Sequence, residues 1–278
     1  MSEVSTDLPG GEAPGARSRR YGSWYVAEHR LLSMRSYTQT IVATSIGSPV
    51  LYLLALGMGL AGLVDKDVDT GASGPVPYLF FVAPALLATA AVNVAGEEAT
   101  YPVMQAFKWN PILFAMNATP ISPRQIVNGF LISIAARMLP TCAIYYGAML
   151  LFGATTGAAS ALGILTATLT GMAVAALIAR YSATVEEDKG QMAVIMRFGL
   201  MPMFLFSGTF FPLEQLPVYL QWIGWISPLW HGSELGRVVS YGAVEPIWLT
   251  VVHVAFLFGV LAYGWNGFRR VTARRLGR

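Results

Sequence analysis

The sequence predicts an all-α polytopic membrane protein, with six transmembrane helices between residues 38 and 268. Three observations predict it. Six hydrophobic stretches each approach or exceed the ~20 residues that a helix rising ~1.5 Å per residue needs to cross a ~30 Å hydrocarbon core. Only 12% of residues are charged and 55% are hydrophobic, with a mean hydropathy of +0.54, whereas a soluble domain carries about 25% charge. Arginines also flank the first and last stretches, as the positive-inside rule requires of cytoplasmic ends.

The chain opens with residues 1–18, a Pro/Gly/Glu-rich leader without apolar period that reads as a disordered cytoplasmic tail. No cleavable signal peptide is expected, because the first apolar run begins only after about 38 residues. Residues 19–37 place Trp24, Ala27, Leu31 and Met34 at helical spacing, with His29, Arg30 and Ser33 on the other side. That pattern predicts an amphipathic helix lying in the cytoplasmic membrane surface; Glu28 and Arg35 interrupt its apolar stripe, and the alternative is a simple extension of the first span.

The spans are expected at 39–62, 78–100, 126–152, 158–181, 193–211 and 246–268, none with the alternation of a half-exposed strand. Arg17, Arg19, Arg20, Arg30 and Arg35 precede the first, and Arg269, Arg270, Arg274, Arg275 and Arg278 follow the last in a basic tail, 269–278. Both termini are therefore expected in the cytoplasm, and the even span count agrees. Asp65, Asp67 and Asp69 make the first loop acidic, as suits the outside, whereas Lys108, Arg124 and Lys189 fall in inner loops. The net charge of +3 is thus a topology signal and not a nucleic-acid footprint. The single cysteine, Cys142, lies within the third stretch, so no internal disulfide can form.

Two connecting segments are unusual. Residues 97–125 are too apolar for a solvated linker, yet Pro102, Pro111, Pro120 and Pro123 break them too often for another span. Short helices against the membrane or a partner would satisfy both facts. Residues 212–242 stay aromatic and apolar, but Pro212, Pro217 and Pro228 cut them into pieces too short to cross. An external re-entrant helical hairpin is expected there. The acidic loop of Glu186, Glu187 and Asp188 reads as a solvated turn.

Ionisable residues inside spans need partners. Arg137 is the deepest, about 21 Å along its helix from Pro123. Two readings stay open for it: contact with an anionic head group in a pathway, or a structural arginine satisfied by Glu97 or Glu98. Arg180 and Arg197 are expected to snorkel to the inner interface. His253 reads as a packed or hydrogen-bonded histidine. His231 and Glu234 stand at i, i+3 but lack further metal ligands, so no metal site is expected. The sequence contains no HExxH and no G-x-S-x-G, and Ser207 has no His or Lys placed to activate it, which argues against an intramembrane enzyme. It also contains no G-x-x-x-x-G-K-[ST] phosphate loop.

FSGTFFPLEQLP, from Phe206 to Pro217, followed by SPLWHGSELGR, from Ser227 to Arg237, resembles the C-terminal signature of ABC-type export permeases that handle polysaccharides, nodulation factors and drugs such as daunorubicin. ATPISPRQIVNGF, from Ala118 to Phe130, is similar to their entry into the third span. The resemblance covers about residues 20–270 and implies the transmembrane half of an exporter of lipid-linked, glycan or amphipathic drug-like cargo. It implies a second permease subunit, most simply a homodimer, and two copies of a separate ATP-binding subunit that holds ATP and Mg. This chain would bind no cofactor, and a bacterial inner membrane would house it.

The family's coupling contacts carry over to Glu97, Glu98, Ala106, Phe107, Lys108, Trp109 and Phe114, flanked by Trp24, Glu28, Leu31 and Arg35 on the interfacial helix. Candidate pathway residues are Arg137, Tyr145, Phe206, Phe210, Phe211, Trp222 and Trp230. The competing class is an ion-coupled secondary transporter. It would need buried carboxylates, which only Glu97 and Glu98 approach, and no inverted repeat is evident.

Overall fold

The computed structural model describes residues 16–55, 59, 67–70 and 74–277. The leader expected to be disordered falls outside them through residue 15, as do Asp65 and Lys66 of the first loop. Among the described residues the regular structure is helical apart from a short antiparallel pair of two-residue strands, β1 Val68–Asp69 with β2 Pro75–Val76, in the loop after the first helix of the membrane domain. In order, the helices are α1 Ala16–Met34, α2 Thr38–Leu53, α3 Tyr78–Ala99, α4 Tyr101–Phe107, α5 Ile112–Asn117, α6 Pro123–Leu151, α7 Gly163–Ser182, α8 Gln191–Val194, α9 Met201–Phe206, α10 Val218–Trp225, α11 Pro228–Tyr241 and α12 Ile247–Leu276. A π-helical turn, Ile195–Leu200, joins α8 to α9.

Among the described residues, four helical stretches are long and apolar enough to cross a membrane: Tyr78–Phe107, Pro123–Leu151, Ala158–Ser182 and Ile247–Leu276. Gln191–Phe206 is apolar but shorter, and α2 has 16 described residues. Thr100, with ψ near −101°, breaks the first of these stretches, so α4 leaves the axis of α3. The residues expected as the fifth span stop being helical at Phe206, where Ser207 and Gly208 turn the chain.

Local chemistry accounts for the boundaries. At the start of α6 the Ser122 side chain accepts from the Gln125 backbone N–H at 3.3 Å, while Gln125 Oε1 accepts from the Ser122 N–H at 2.9 Å. Pro123 fills the first turn, where its missing N–H is no loss. Gln125 Nε2 also donates to the Arg19 carbonyl at 2.7 Å, which fixes α1 against α6. Ser227 caps α11 on Leu229 N–H at 3.2 Å, and Gly242 ends it at φ 73°, a left-handed conformation that favours glycine.

The core lies where α3, α6, α7, α11 and α12 meet. α3 is buried over most of its length, and α12 turns most of its apolar surface outward, with Ile247, Trp248, Phe258 and Tyr263 exposed. Small residues let the backbones approach, as is usual where both solvent and side chains are apolar. A Cβ at Gly171 of α7 would lie 2.7 Å from the Ala91 carbonyl oxygen of α3. One at Gly264 of α12 would lie 2.6 Å from the Ala176 carbonyl carbon of α7.

Three sequence expectations change. The basic segment expected as a tail is helical as far as Leu276: α12 runs unbroken to there, since nothing in FRRVTARRL breaks a helix, and Arg275 donates to the Ala183 carbonyl at 2.8 Å. The helix at 19–37 begins by Ala16 and passes into a 3-10 turn, Arg35–Tyr37. Its inward face also differs. Ala27 and Met34 are buried as expected, but Val26 outside the expected stripe is buried too, Trp24 is exposed and Arg30 points into the protein, because Glu98 and Ser133 receive it there.

The close α7–α12 approach predicts that Gly264→Val lowers the thermal unfolding midpoint in detergent, by an overpacking cost of about 1–3 kcal/mol. Gly259→Val, five residues earlier and meeting nothing within 4 Å, should leave the midpoint near wild type.

Candidate functional site

Arg137 on α6 pairs with both Glu97 and Glu98 at the end of α3. Arg30 of α1 reaches the same Glu98, Nη2 to Oε2 at 2.8 Å, and its Nε donates to Ser133 Oγ at 2.8 Å. The charges alternate as Arg30, Glu98, Arg137 and Glu97 and sum to zero. Glu98 is 2% exposed and Arg137 10%. The Arg30 guanidinium also lies 3.9 Å over the Phe130 ring. Burial pulls the Arg30 pKa below its ordinary value while Glu98 pulls it back up. An ionised side chain in such surroundings needs a partner for each charge, and each of the four has at least one.

Beside this quartet, α2, α3 and α6 line a cavity of ≈ 130 Å³ with mixed polar and apolar walls, among them Arg137, Glu97, Ser45, Asn93, Thr141, Tyr145, Leu86 and Val94. Ser45 Oγ and Thr141 Oγ1 are 3.1 Å apart and link α2 to α6. Two buried atoms of cavity-lining residues, Arg137 Nε and the Tyr145 hydroxyl, have no hydrogen-bond partner among the described residues. Burying such donors unsatisfied costs ~1–3 kcal/mol each.

The expected pathway residues do not share one lining. Arg137 and Tyr145 meet in this cavity. Phe210 approaches it indirectly: its ring stands 4.8 Å from Phe204, whose ring is 6.4 Å from cavity-lining Tyr52. Trp230 lines a second crevice of ≈ 550 Å³ with Arg237 and Glu245. Phe206 and Phe211 are half-buried around the turn that ends α9, and Trp222 is exposed on α10.

The expected coupling residues also divide. Glu98 belongs to the buried quartet, and Ala106 and Phe107 are buried in this chain's own core, with Arg275 4.4 Å over the Phe107 ring. None of these three offers surface to a partner. Phe107 sits inward because α4 turns under α7 and needs an apolar face there. Trp109, at 57% exposure, and Phe114, at 43%, lie on the outside with Lys108, and Tyr101 stacks on Trp109 at 6.4 Å. Glu28 and Arg35 are exposed on α1 and the turn after it, and Leu31 is half-buried.

Arg180 lies 4.1 Å over the Tyr263 ring of α12. Glu234 pairs with Arg237 at 2.6 Å while His231 contacts His253, so these two do not converge as a chelate. Among the described residues, no group of three or more His, Cys, Asp or Glu can hold a metal ion.

Sequence reasoning missed Arg237. It is 2% exposed, donates to the Gly208 carbonyl at 2.5 Å and the Phe81 carbonyl at 3.2 Å, and stacks over Phe81 at 3.8 Å. It ties α11 to α3 and to the turn after α9. The available signal was an arginine one turn after Glu234 in an otherwise apolar stretch. Tyr52 was missed because an aromatic in an apolar run carries no distinguishing pattern.

The chain is 32% identical over 213 residues to Nodulation protein J of Sinorhizobium fredii (strain NBRC 101917 / NGR234), covering 73% of this chain and 76% of that protein. It is 30% identical over 215 residues to Nodulation protein J of Rhizobium leguminosarum bv. viciae, covering 77% and 79%. With that of Neorhizobium galegae the identity is 26% over 265 residues, 88% of each chain. Residues 23–241 match the ABC-2 type transporter family, and the chain belongs to it as a membrane-integral ABC export permease.

Proposed function

We propose that the chain is the transmembrane subunit of an exporter in which two permease copies and two ATP-binding subunits move an amphipathic or glycan-bearing cargo outward from the cytoplasm or inner leaflet. Permeases of this family pair with a separate ATPase, and nucleotide binds there. We place the assembly in a bacterial inner membrane with six spans, α2 and α8–α9 completing the four longer ones, and with both termini cytoplasmic. The arginine distribution supports that orientation.

The observation that carries the cargo class is the α2–α3–α6 cavity. Its donors, Arg137 Nε and the Tyr145 hydroxyl, suit the oxygen acceptors of a sugar or phosphate head group, while Tyr52, Leu86 and Val94 of the same lining suit an apolar portion. The quartet leaves the cavity without net charge, which favours a head group held by hydrogen bonds. The exposed apolar faces of α2, with Val42, Ile46 and Leu51, and of α8–α9, with Val194, Phe198 and Met201, offer surface to a second permease copy or to lipid.

α4 and α5 are the coupling elements in this proposal, with Trp109, Phe114 and Lys108 as the residues that meet the ATPase. A push on them reaches the cavity through Glu97 and Glu98, which end α3 immediately before α4. Such a push changes transport only if the two conformations differ in affinity for nucleotide or cargo. The secondary-transporter reading fares less well, since both candidate carboxylates are already neutralised by Arg30 and Arg137.

Three outcomes test this. The purified chain in liposomes should hydrolyse no ATP and should transport only with its ATP-binding partner; accumulation by the lone chain under a proton or sodium gradient would support the secondary transporter instead. Trp109→Ala with Phe114→Ala should weaken co-purification of the ATPase roughly thirtyfold, for a loss of about 2 kcal/mol, while Phe107→Ala should instead lower the permease's own unfolding temperature. Tyr145→Phe, which removes the hydroxyl and keeps the ring, should raise the glycolipid concentration needed to stimulate the assembled ATPase by about fivefold or more, as expected for ~1 kcal/mol of lost hydrogen bonding. An unchanged stimulation curve would remove Tyr145 from the cargo site.

A further inference from the structure

At the opposite end of the helices from the quartet, three ionisable side chains form a continuous hydrogen-bonded line that the transport reading does not use. His231 of α11 places Nε2 3.0 Å from the Trp225 carbonyl and Nδ1 2.6 Å from Nδ1 of His253 on α12. His253 Nε2 lies 2.8 Å from Glu245 Oε1, in the turn before α12, and Thr250 Oγ1 donates to Glu245 Oε2 at 2.9 Å. Both imidazoles are buried, His253 completely. The line joins the second arm of the hairpin to the last helix.

The proton count of this line follows from its geometry. A carbonyl only accepts, so the bond to Trp225 requires a proton on His231 Nε2. The Nδ1–Nδ1 contact requires one proton between the two rings. The contact of His253 Nε2 with Glu245 requires a third, carried either by the ring or by the carboxyl. Two neutral imidazoles supply two. We propose that Glu245, His253 and His231 form a proton-binding site whose one bound proton latches α11 to α12, and that loss of this proton to the crevice lined by Glu245 opens the latch.

Glu245 stands just before the N-terminus of α12, where the helix dipole stabilises negative charge. Trp230 packs against both rings, with centroids 4.9 Å and 5.0 Å away, and Phe256 stacks on His231 at 3.9 Å. The other charged groups nearby are Glu234 and Arg237 of α11, which pair with one another, and Asp69 and Glu214, which line the same crevice as Glu245. α10 contributes no charged side chain, and α7 has only Arg180, held at its far end against Tyr263.

Without the third proton, two of the facing atoms become lone pair against lone pair at hydrogen-bond distance. One contact must then open, and each of the three spans different elements: α10 to α11, α11 to α12, or α12 to the turn before it. Glu245→Gln isolates the proton from the shape. The Gln amide donates to His253 Nε2, His253 Nδ1–H donates to His231 Nδ1, and the line closes with no extra proton at any pH.

The test uses the full chain in nanodiscs with His29→Gln, so that His231 and His253 are the remaining histidines, and ¹⁵N-labelled imidazoles. At neutral pH the wild-type line should show nitrogen–nitrogen coupling between the rings. It should also show either one doubly protonated ring or a protonated-carboxyl infrared band that vanishes in Glu245→Gln. Spin labels at Tyr219 and Val251, both exposed, in a Cys142→Ser background should report a distance that shifts and broadens as the pH is raised through the loss of that proton. In Glu245→Gln the distance should stay at its closed value throughout. Two neutral rings with no protonated carboxyl in the wild type at neutral pH would overturn the proposal, as would an identical pH response in Glu245→Gln.

Discussion

The requirement that every buried charge have a partner organises the half of this permease that holds α1. Glu98, almost wholly buried at the end of α3, accepts from Arg30 on one side and Arg137 on the other. Removing one member of such a set leaves an uncompensated buried charge and costs about 3–5 kcal/mol. The consequence is architectural. α1, too polar to cross a membrane, is held against α6 and α3 by Arg30 and by the Gln125 contact to Arg19. The chain breaks at Thr100, two residues after Glu98, and α4 and α5 begin there. A displacement of the exposed Trp109–Phe114 surface is therefore mechanically close to the carboxylates that close one end of the cavity.

A second buried arginine plays the corresponding part at the other end. Arg237 donates to the carbonyls of Phe81, near the start of α3, and of Gly208, at the turn after α9, and its own charge is met by Glu234. Irregular backbone within a membrane domain persists only where such donors reach it. Between these ends the helices pack through small residues: Gly171 against α3 and Gly264 against α7. Arginine pins at both ends with glycine contacts between them are compatible with helices that tilt against one another while keeping their partners.

Much of this architecture was legible from residue spacing. Length and apolarity locate α3, α6, α7 and α12 because a bilayer imposes a minimum helix length. Proline positions separate α4 from α5 and α10 from α11 because a proline ring ends a helix that would otherwise continue. What could not be read is which face a charged residue presents. Arg30 looks like part of a solvent-facing stripe, and its inward turn depends on Glu98, 68 residues away. Phe107 and Trp109 are equally apolar and two residues apart, yet the first is buried and the second exposed, a distinction set by where α4 meets α7. Residues 269–276 read as a tail because their apolar content falls, although helix continuation needs only the absence of a breaker. For the site, Arg137 with Glu97 or Glu98 was accessible as one of two alternatives. The role of Arg237 and the His231–His253 contact depended on three-dimensional pairing that no spacing encodes.

The claim that Glu98 is the shared partner joining α1 to the transmembrane core is tested most directly by a double-mutant cycle of Arg30→Met and Glu98→Gln, read as unfolding free energy of the permease in detergent micelles. If the two side chains act through one another, each single change destabilises and the double change costs less than their sum, with a coupling energy of about 0.5–3 kcal/mol. Additive effects, or no loss of stability on Glu98→Gln, would contradict the account.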